Sequence, residues 1–245
     1  MASTVRTDKV GPVSGSADFI LPTADGTVGQ FLKTDGSLAL GFETVATTGF
    51  DSIVAITSSQ SYTIPSDITK QVFYVTGGGG GGAGADTALG SSSGSAGGTV
   101  IKTLSLAAGT VMSIVIGAAA AGGGQGAAGT IGVDTTVTQT SGTAFTTLTA
   151  PGGKPGLYGT VPLASVVPSG GTINLAGGAG GQGAGGGGES YWGGGGVSGY
   201  KSTAASQTAT PGLVYGSGGG EGAPSAGFHV GAAGAIGVVV IYLYK

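Results

Sequence analysis

Cysteine is absent from the 245 residues, which excludes a disulfide framework, a thiolate metal site and a cysteine nucleophile. Stability must come from backbone pairing, packing or association. Histidine is nearly absent too. His229, without cysteine or a nearby carboxylate pair, cannot anchor a typical transition-metal site and reads as a loop residue. Charge is scarce: eight lysines and arginines stand against eleven acidic residues, with a pI near 4.8. Scattered cations in an acidic chain cannot neutralise a run of phosphates, so nucleic acid is excluded as a partner. Long apolar runs are also missing. Residues 111–121 and 232–244 fall short of the roughly 20 needed to cross a bilayer, so no membrane insertion is expected and both read as buried strands. Residues 1–8 lack the apolar core of a secretory signal, so Sec export is not expected.

Glycine dominates what is present. Of 57 glycines only seven precede residue 77, whereas fifty fall among the last 169 residues. Charge changes at the same border, with eleven charged residues before it and eight after. A Gly/Ser-rich chain is often a flexible linker. Disorder, however, combines low hydrophobicity with high net charge. This chain is 40% hydrophobic and 8% charged, with a mean hydropathy of +0.35.

The backbone therefore has to be ordered, with its N–H and C=O groups paired. Helix is disfavoured, because each interior glycine costs about 0.8 to 1.0 kcal/mol relative to alanine. Collagen is excluded, since glycine comes in blocks and prolines number nine. Extended chain remains. Left-handed three-residue helices lacking Cβ atoms can pack closely enough to bond to one another through their outward amides. Residues 77–85 would supply three such turns, about 28 Å of rod. The fold predicted is all-β and irregular, essentially helix-free: short N-terminal strands, then a glycine-rich domain of β-strands and a polyglycine II bundle.

Short apolar runs at 18–21, 30–33 and 38–45 read as strands, separated by turns at 22–26 and 35–36. Further strands are predicted at 53–57, 61–64, 71–76, 99–106, 111–117, 144–149, 172–175 and 235–244, with a hairpin signal at Ala108-Gly109. Domains are placed at 1–49 and 50–245.

The segment GSADFILPTADGTVGQFLKTDGSLALGF, within residues 15–45, resembles a connector recurrent in phage tail fibre proteins. That likeness implies attachment to other virion tail proteins through residues 1–49, and a homotrimer. Over residues 50–245, SYTIPSDITKQVFYVTGGGGGG, LSLAAGTVMSIVIGAAAAGGG, LTAPGGKPG and GAIGVVVIYLY follow in order. Together they resemble the glycine-rich domain of phage tail proteins. The chain is also similar to the tip adhesins of T-even-type phages, in which polyglycine II helices carry receptor-contacting loops. The resemblance implies a tail fibre adhesin of the virion, assembled in the host cytoplasm, that binds a host surface protein or glycan without turnover. The alternative is a purely structural virion component whose loops make subunit contacts. An ice-binding or matrix protein leaves the fibre-like N-terminus unexplained, and no carboxylate cluster supports a depolymerase.

Individual residues refine this. A glycine bundle leaves no room for rings, so Tyr158, Tyr191, Trp192, Tyr200, Tyr215 and Phe228, between glycine blocks, must lie outside it. With His229 they are the candidate receptor contacts, since rigid aromatic rings anchor protein loops and the apolar faces of sugars; the alternative for any single ring is packing against the bundle end or a neighbouring subunit. Phe73, Tyr74, Tyr242 and Tyr244 read instead as sheet core. The G-x-S-x-G at residues 90–94 lacks the strand, helix and histidine base of a nucleophile elbow. Glu189 and Glu221 read as solvated loop charges. No cofactor and no catalytic residue is expected.

Overall fold

The computed structural model describes residues 9–10, 18–45, 48–86, 91–159, 167–183, 185–201, 206–223 and 230–245. Among them there is no helix, and the fold is all-β. The chain forms two compact units, Met1–Thr48 and Gly49–Lys245.

In the first unit, β1 (Lys9–Val10) pairs antiparallel with β2 (Phe19–Ile20). β3 (Gln30–Thr34) pairs with β4 (Leu40–Thr44), setting Leu32 opposite Phe42 and Thr34 opposite Leu40. Asp35 builds the intervening turn, its carboxylate accepting from the amides of Ser37 at 2.7 Å and Ala39 at 3.1 Å. No residue of 18–45 is fully buried. So short a chain has too little apolar area for a core of its own.

The second unit contains β5 (Phe50–Ile56), β6 (Gln60–Thr63), β7 (Lys70–Thr76), β8 (Thr99–Leu104), β9 (Val111–Val115), β10 (Thr135–Ser141), β11 (Leu148–Ala150), β12 (Ile173–Leu175), β13 (Tyr200–Lys201), β14 (Ser206–Gln207) and β15 (Val238–Tyr244). One antiparallel sheet runs β12-β8-β7-β15-β5 and another β11-β10-β9-β6, while β13 and β14 form a separate hairpin. Period-two alternation turns Gln71, Phe73 and Val75 of β7, and Val239, Ile241 and Leu243 of β15, toward the other sheet. There they meet Met112, Ile114, Val137 and Leu148, and this seam is the hydrophobic core.

Lys245 closes one end of the sandwich. Its backbone exchanges hydrogen bonds with Gly49, and its ammonium lies 2.8 Å from both Asp51 and Asp67. Hydrogen bonds from Lys245 hold both aspartates below their ordinary value of 3.8 and raise the lysine above 10.5. A lowered carboxylate contributes stability above its unfolded value and loses it as pH falls through the folded one. A raised lysine contributes fully below its unfolded value and loses its contribution as pH rises beyond the folded one. The clamp is thus complete between about pH 4 and 10. Lys245→Met is expected to flatten the acid limb of a Tm-versus-pH curve below pH 4 while leaving the sandwich folded. An unchanged limb would show that the pair contributes nothing there.

The strands of this sandwich run directly into the glycine-rich segments. β7 continues as residues 77–85, β9 as 117–123, β11 as 151–158 and β12 as 176–182; residues 91–98, 127–134 and 230–237 return into β8, β10 and β15. In segment 77–85 every hydrogen bond recurs at a period of three. Gly77, Gly80 and Ala83 donate to Gly98, Ser95 and Ser92; Gly78, Gly81 and Gly84 donate to Val133, Thr130 and Ala127; Gly79 and Gly82 donate to Ala235 and Ala232. The carbonyls answer in the same rhythm. Gly78 and Gly81 accept from Gly153 and Gly156, Gly79 and Gly82 from Ala120 and Gly123, Gly80 and Ala83 from Gly219 and Gly222. One segment is thus bonded to six others, antiparallel to those it donates to and parallel to those it accepts from. Residues 77–85, 91–98 and 216–223 are all buried. The protein has a second core, made of main chain.

Candidate functional site

The direction of each segment fixes where its reversals fall. Those adjoining strands define the sandwich end of the bundle. At the far end lie the described ends of successive segments that run in opposite directions, residues 85 and 91, 123 and 127, 182 and 185, 199 and 209, and 223 and 230, and segment 151–158 also ends there. Gly126 and Gly183, with φ of +64° and +63°, make two of these turns possible.

This geometry separates the candidate aromatic residues into two groups. Tyr158 and Tyr200 lie at the far end. The Tyr158 hydroxyl donates to Asp86, a bond that raises its pKa, and Tyr200 is exposed on β13, paired with Gln207. Phe228 and His229 fall outside the described residues, in the stretch that joins Ala223 to Val230.

Tyr191, Trp192 and Tyr215 lie at the sandwich end. The turn carrying the first two is set by Ser190, whose hydroxyl accepts from the Trp192 amide at 3.1 Å and donates to the Tyr215 carbonyl at 2.7 Å. The indole Nε1–H of Trp192 donates to Thr76 Oγ1 at 3.0 Å, and Thr76 shares a 2.9 Å hydroxyl contact with Thr99. Tyr191 packs edge-on to Trp192 with ring centroids 5.0 Å apart, and Tyr74 lies 5.6 Å from Tyr191. The strip continues across the outer face of the five-stranded sheet, with Tyr242 5.4 Å from Tyr74 and Phe50 6.4 Å from Tyr242. Burial among these rings raises the pKa of Tyr74. Beside Trp192 opens a groove of about 480 Å³ lined by Leu213, Val214, Tyr215, Ala235 and Ile236.

Two expectations change. Phe73 is sheet core, but Tyr74, Tyr242 and Tyr244 are half-buried on the opposite face. Alternation dictates this, because each neighbours inward-facing Phe73, Ile241 or Leu243 in sequence. Glu221 is not a solvated loop charge: it is 2% exposed within segment 216–223, its amide donating to Ser93 Oγ at 3.0 Å. Glu189 is exposed.

The serines of the G-x-S-x-G stretch belong to the lattice. Ser92 accepts from the Leu157 amide at 2.8 Å and donates to the Leu157 carbonyl, while Ser93 donates to Gly185 at 2.6 Å. Both are buried, so their hydroxyls stand in for backbone partners. Sequence reasoning missed the groove walls, since Leu213 and Ile236 carry no signal linking them to Trp192. Thr76 could have been suspected as the strand residue immediately before the glycine block.

No curated protein matches the chain. A family model for a glycine-rich domain matches residues 55–244, from the last two residues of β5 to the end of β15, so the bundle and nearly all of the sandwich are covered as one unit. The chain therefore belongs to the glycine-rich domain family.

Proposed function

We propose that this chain is a receptor-binding phage tail fibre protein, an adhesin that acts by contact and without turnover. Residues 1–49 would join it to other tail proteins and to further copies of itself, as a trimer. Residues 50–245 would hold the adhesive loops, on segments read as polyglycine II helices.

The observation that carries this reading is the gathering of chain reversals at one end of a bundle held by main-chain bonds. Each bond of segment 77–85 runs between backbone atoms. The sequence of a loop can therefore vary without disturbing the scaffold beneath it, a division of labour suited to a changing host surface. Tyr158 and Tyr200 lie at this end. Low-entropy aromatic side chains there favour contact with a protein or a sugar face.

The test is adsorption of particles carrying Tyr158→Ala together with Tyr200→Ala. Adsorption to sensitive bacteria is expected to fall at least tenfold with Tm held within a few degrees. Full adsorption by a folded variant rules the loop assignment out, and replacement of residues 200–207 by a Gly-Ser turn repeats the test on the whole hairpin.

A further inference from the structure

Two Asp-Gly pairs stand in the first unit, Asp25-Gly26 before β3 and Asp35-Gly36 between β3 and β4, and the chain holds no other. A glycine after aspartate leaves the amide nitrogen unshielded by a side chain, so that nitrogen can reach the carboxyl carbon behind it. We propose that Asp25 is a site of spontaneous covalent modification, isomerising to isoaspartate through a succinimide, while Asp35 is protected by its hydrogen bonds. Water is the only co-reactant, and the reaction is independent of what the chain binds.

The step is an intramolecular condensation. The Gly26 nitrogen forms a bond to Asp25 Cγ, and the amide hydrogen and the hydroxyl of the neutral carboxyl group leave as water, closing a five-membered ring. Water then adds to one ring carbonyl and cleaves its bond to the nitrogen. Opening at Cγ restores aspartate. Opening at the main-chain carbonyl leaves the chain running through Cβ and Cγ, with the old main-chain carbon as a free carboxylate. Mass and oxidation state end unchanged.

Hydrogen bonding separates the two pairs. The Gly26 amide donates to Asp25 Oδ1 at 2.9 Å. That bond folds the side chain over the peptide that follows it and brings Cγ, one bond from Oδ1, toward the nitrogen. The reacting atoms are thus gathered before reaction, the condition under which an intramolecular step gains most. At the second pair the Gly36 amide donates instead to Thr34 Oγ1 at 3.1 Å. Asp35 Oδ1 accepts from the amides of Ser37 and Ala39. Nitrogen and carboxyl group are tied to different partners, and these bonds must break before the ring can close. Exposure does not distinguish the pairs, since both aspartates are exposed. Nor does local sequence, since Thr27 and Ser37 both follow with small hydroxyl side chains.

The fold also retains the reactive pair. A Cβ at residue 26 would fall 2.6 Å from Phe42 Cδ1, so any larger residue would have to displace that ring, which β4 places opposite Leu32. Isoaspartate inserts one methylene into the main chain just before this contact. It also precedes the Thr27 amide, which donates to Gln30 Oε1 at 2.8 Å at the start of β3. Conversion therefore loosens the entry to the β3–β4 hairpin.

The full-length folded protein is kept for weeks in warm, mildly acidic buffer and then digested with trypsin. Cuts at Lys9, Lys33 and Lys70 put the two pairs on separate peptides, residues 10–33 and 34–70. Isoaspartate appears as a second peak of equal mass, and electron-transfer fragmentation locates it within the peptide. Expected is conversion at Asp25 at least tenfold faster than at Asp35 in the folded protein, and similar rates at both once urea has unfolded the chain. A smaller or reversed difference in the folded protein overturns the proposal, as does an Asp25 that stays unmodified. A tenfold difference that persists in urea assigns the effect to local sequence rather than to the folded geometry and equally overturns it.

Discussion

Gly81→Ala is expected to destabilise the glycine-rich domain by about 3 kcal/mol, the upper range for overpacking a close-packed interior, and to lower Tm by about 6–12 °C. At an unstrained site the same change would stabilise by about 0.4 to 1 kcal/mol through the unfolded chain, so the sign itself is diagnostic. A Cβ at Gly81 would overlap the carbonyl oxygen and carbon of Ala121 and touch the Gly122 nitrogen. That carbonyl cannot retreat. It already accepts from the Thr130 amide at 2.9 Å and from Thr130 Oγ1 at 3.3 Å. Gly81 is equally fixed, donating to Thr130 at 3.0 Å and accepting from Gly156 at 2.8 Å. Relief on one side therefore breaks bonds on another. Gly124→Ala is the control: its Cβ meets nothing within 4 Å, and its Tm should stay within about 2 °C. Equal melting of the two variants would mean that main-chain proximity is not what holds the bundle together.

The same crowding explains which parts of the fold were legible. The strands at 53–57, 71–76 and 235–244 announced themselves by β-branched and aromatic runs, and β5, β7 and β15 lie over them. β10 escaped notice because TTVTQTS pairs polar β-branched residues with one valine, a strand that looks like a loop when hydrophobicity is the signal. Composition alone equates glycine blocks with rods and the varied segments with loops. Residues 91–98 show why that equation is incomplete. Where a side chain has a carbonyl to bond, serine substitutes for glycine, as Ser91 does toward Gly222 and Ser95 toward Lys154.

The candidate site was legible only in part, for a related reason. Rings had to lie outside the bundle, and the sequence could say so. Which end each ring occupies depends on segment direction, and that is fixed by pairings between residues more than 100 positions apart, such as Gly79 with Ala235. Trp192 reaches Thr76, 116 positions away, by the same long-range route, while the neighbouring Ser190 holds the Tyr215 carbonyl across only 25 positions.

Gln71→Leu is expected to cost about 3 kcal/mol although it makes the core more apolar, because each buried peptide group left unpaired costs about 1 to 3 kcal/mol. Gln71 is fully buried on the inward face of β7, beside Phe73. Its Oε1 accepts from the Leu106 amide at 2.9 Å, and its Nε2 donates to the Leu106 carbonyl at 3.3 Å. Leu106 is itself buried and lies beyond the end of β8, where no strand neighbour can pair it. Leucine fills the same volume and leaves both peptide groups stranded. The loss should appear as a Tm lower by about 6–12 °C and as faster hydrogen exchange at the Leu106 amide. Wild-type exchange at Leu106 would show that another group pairs it, and the side chain of Gln71 would then be a passenger in the core rather than the link that fixes the β8–β9 connection to the sheet.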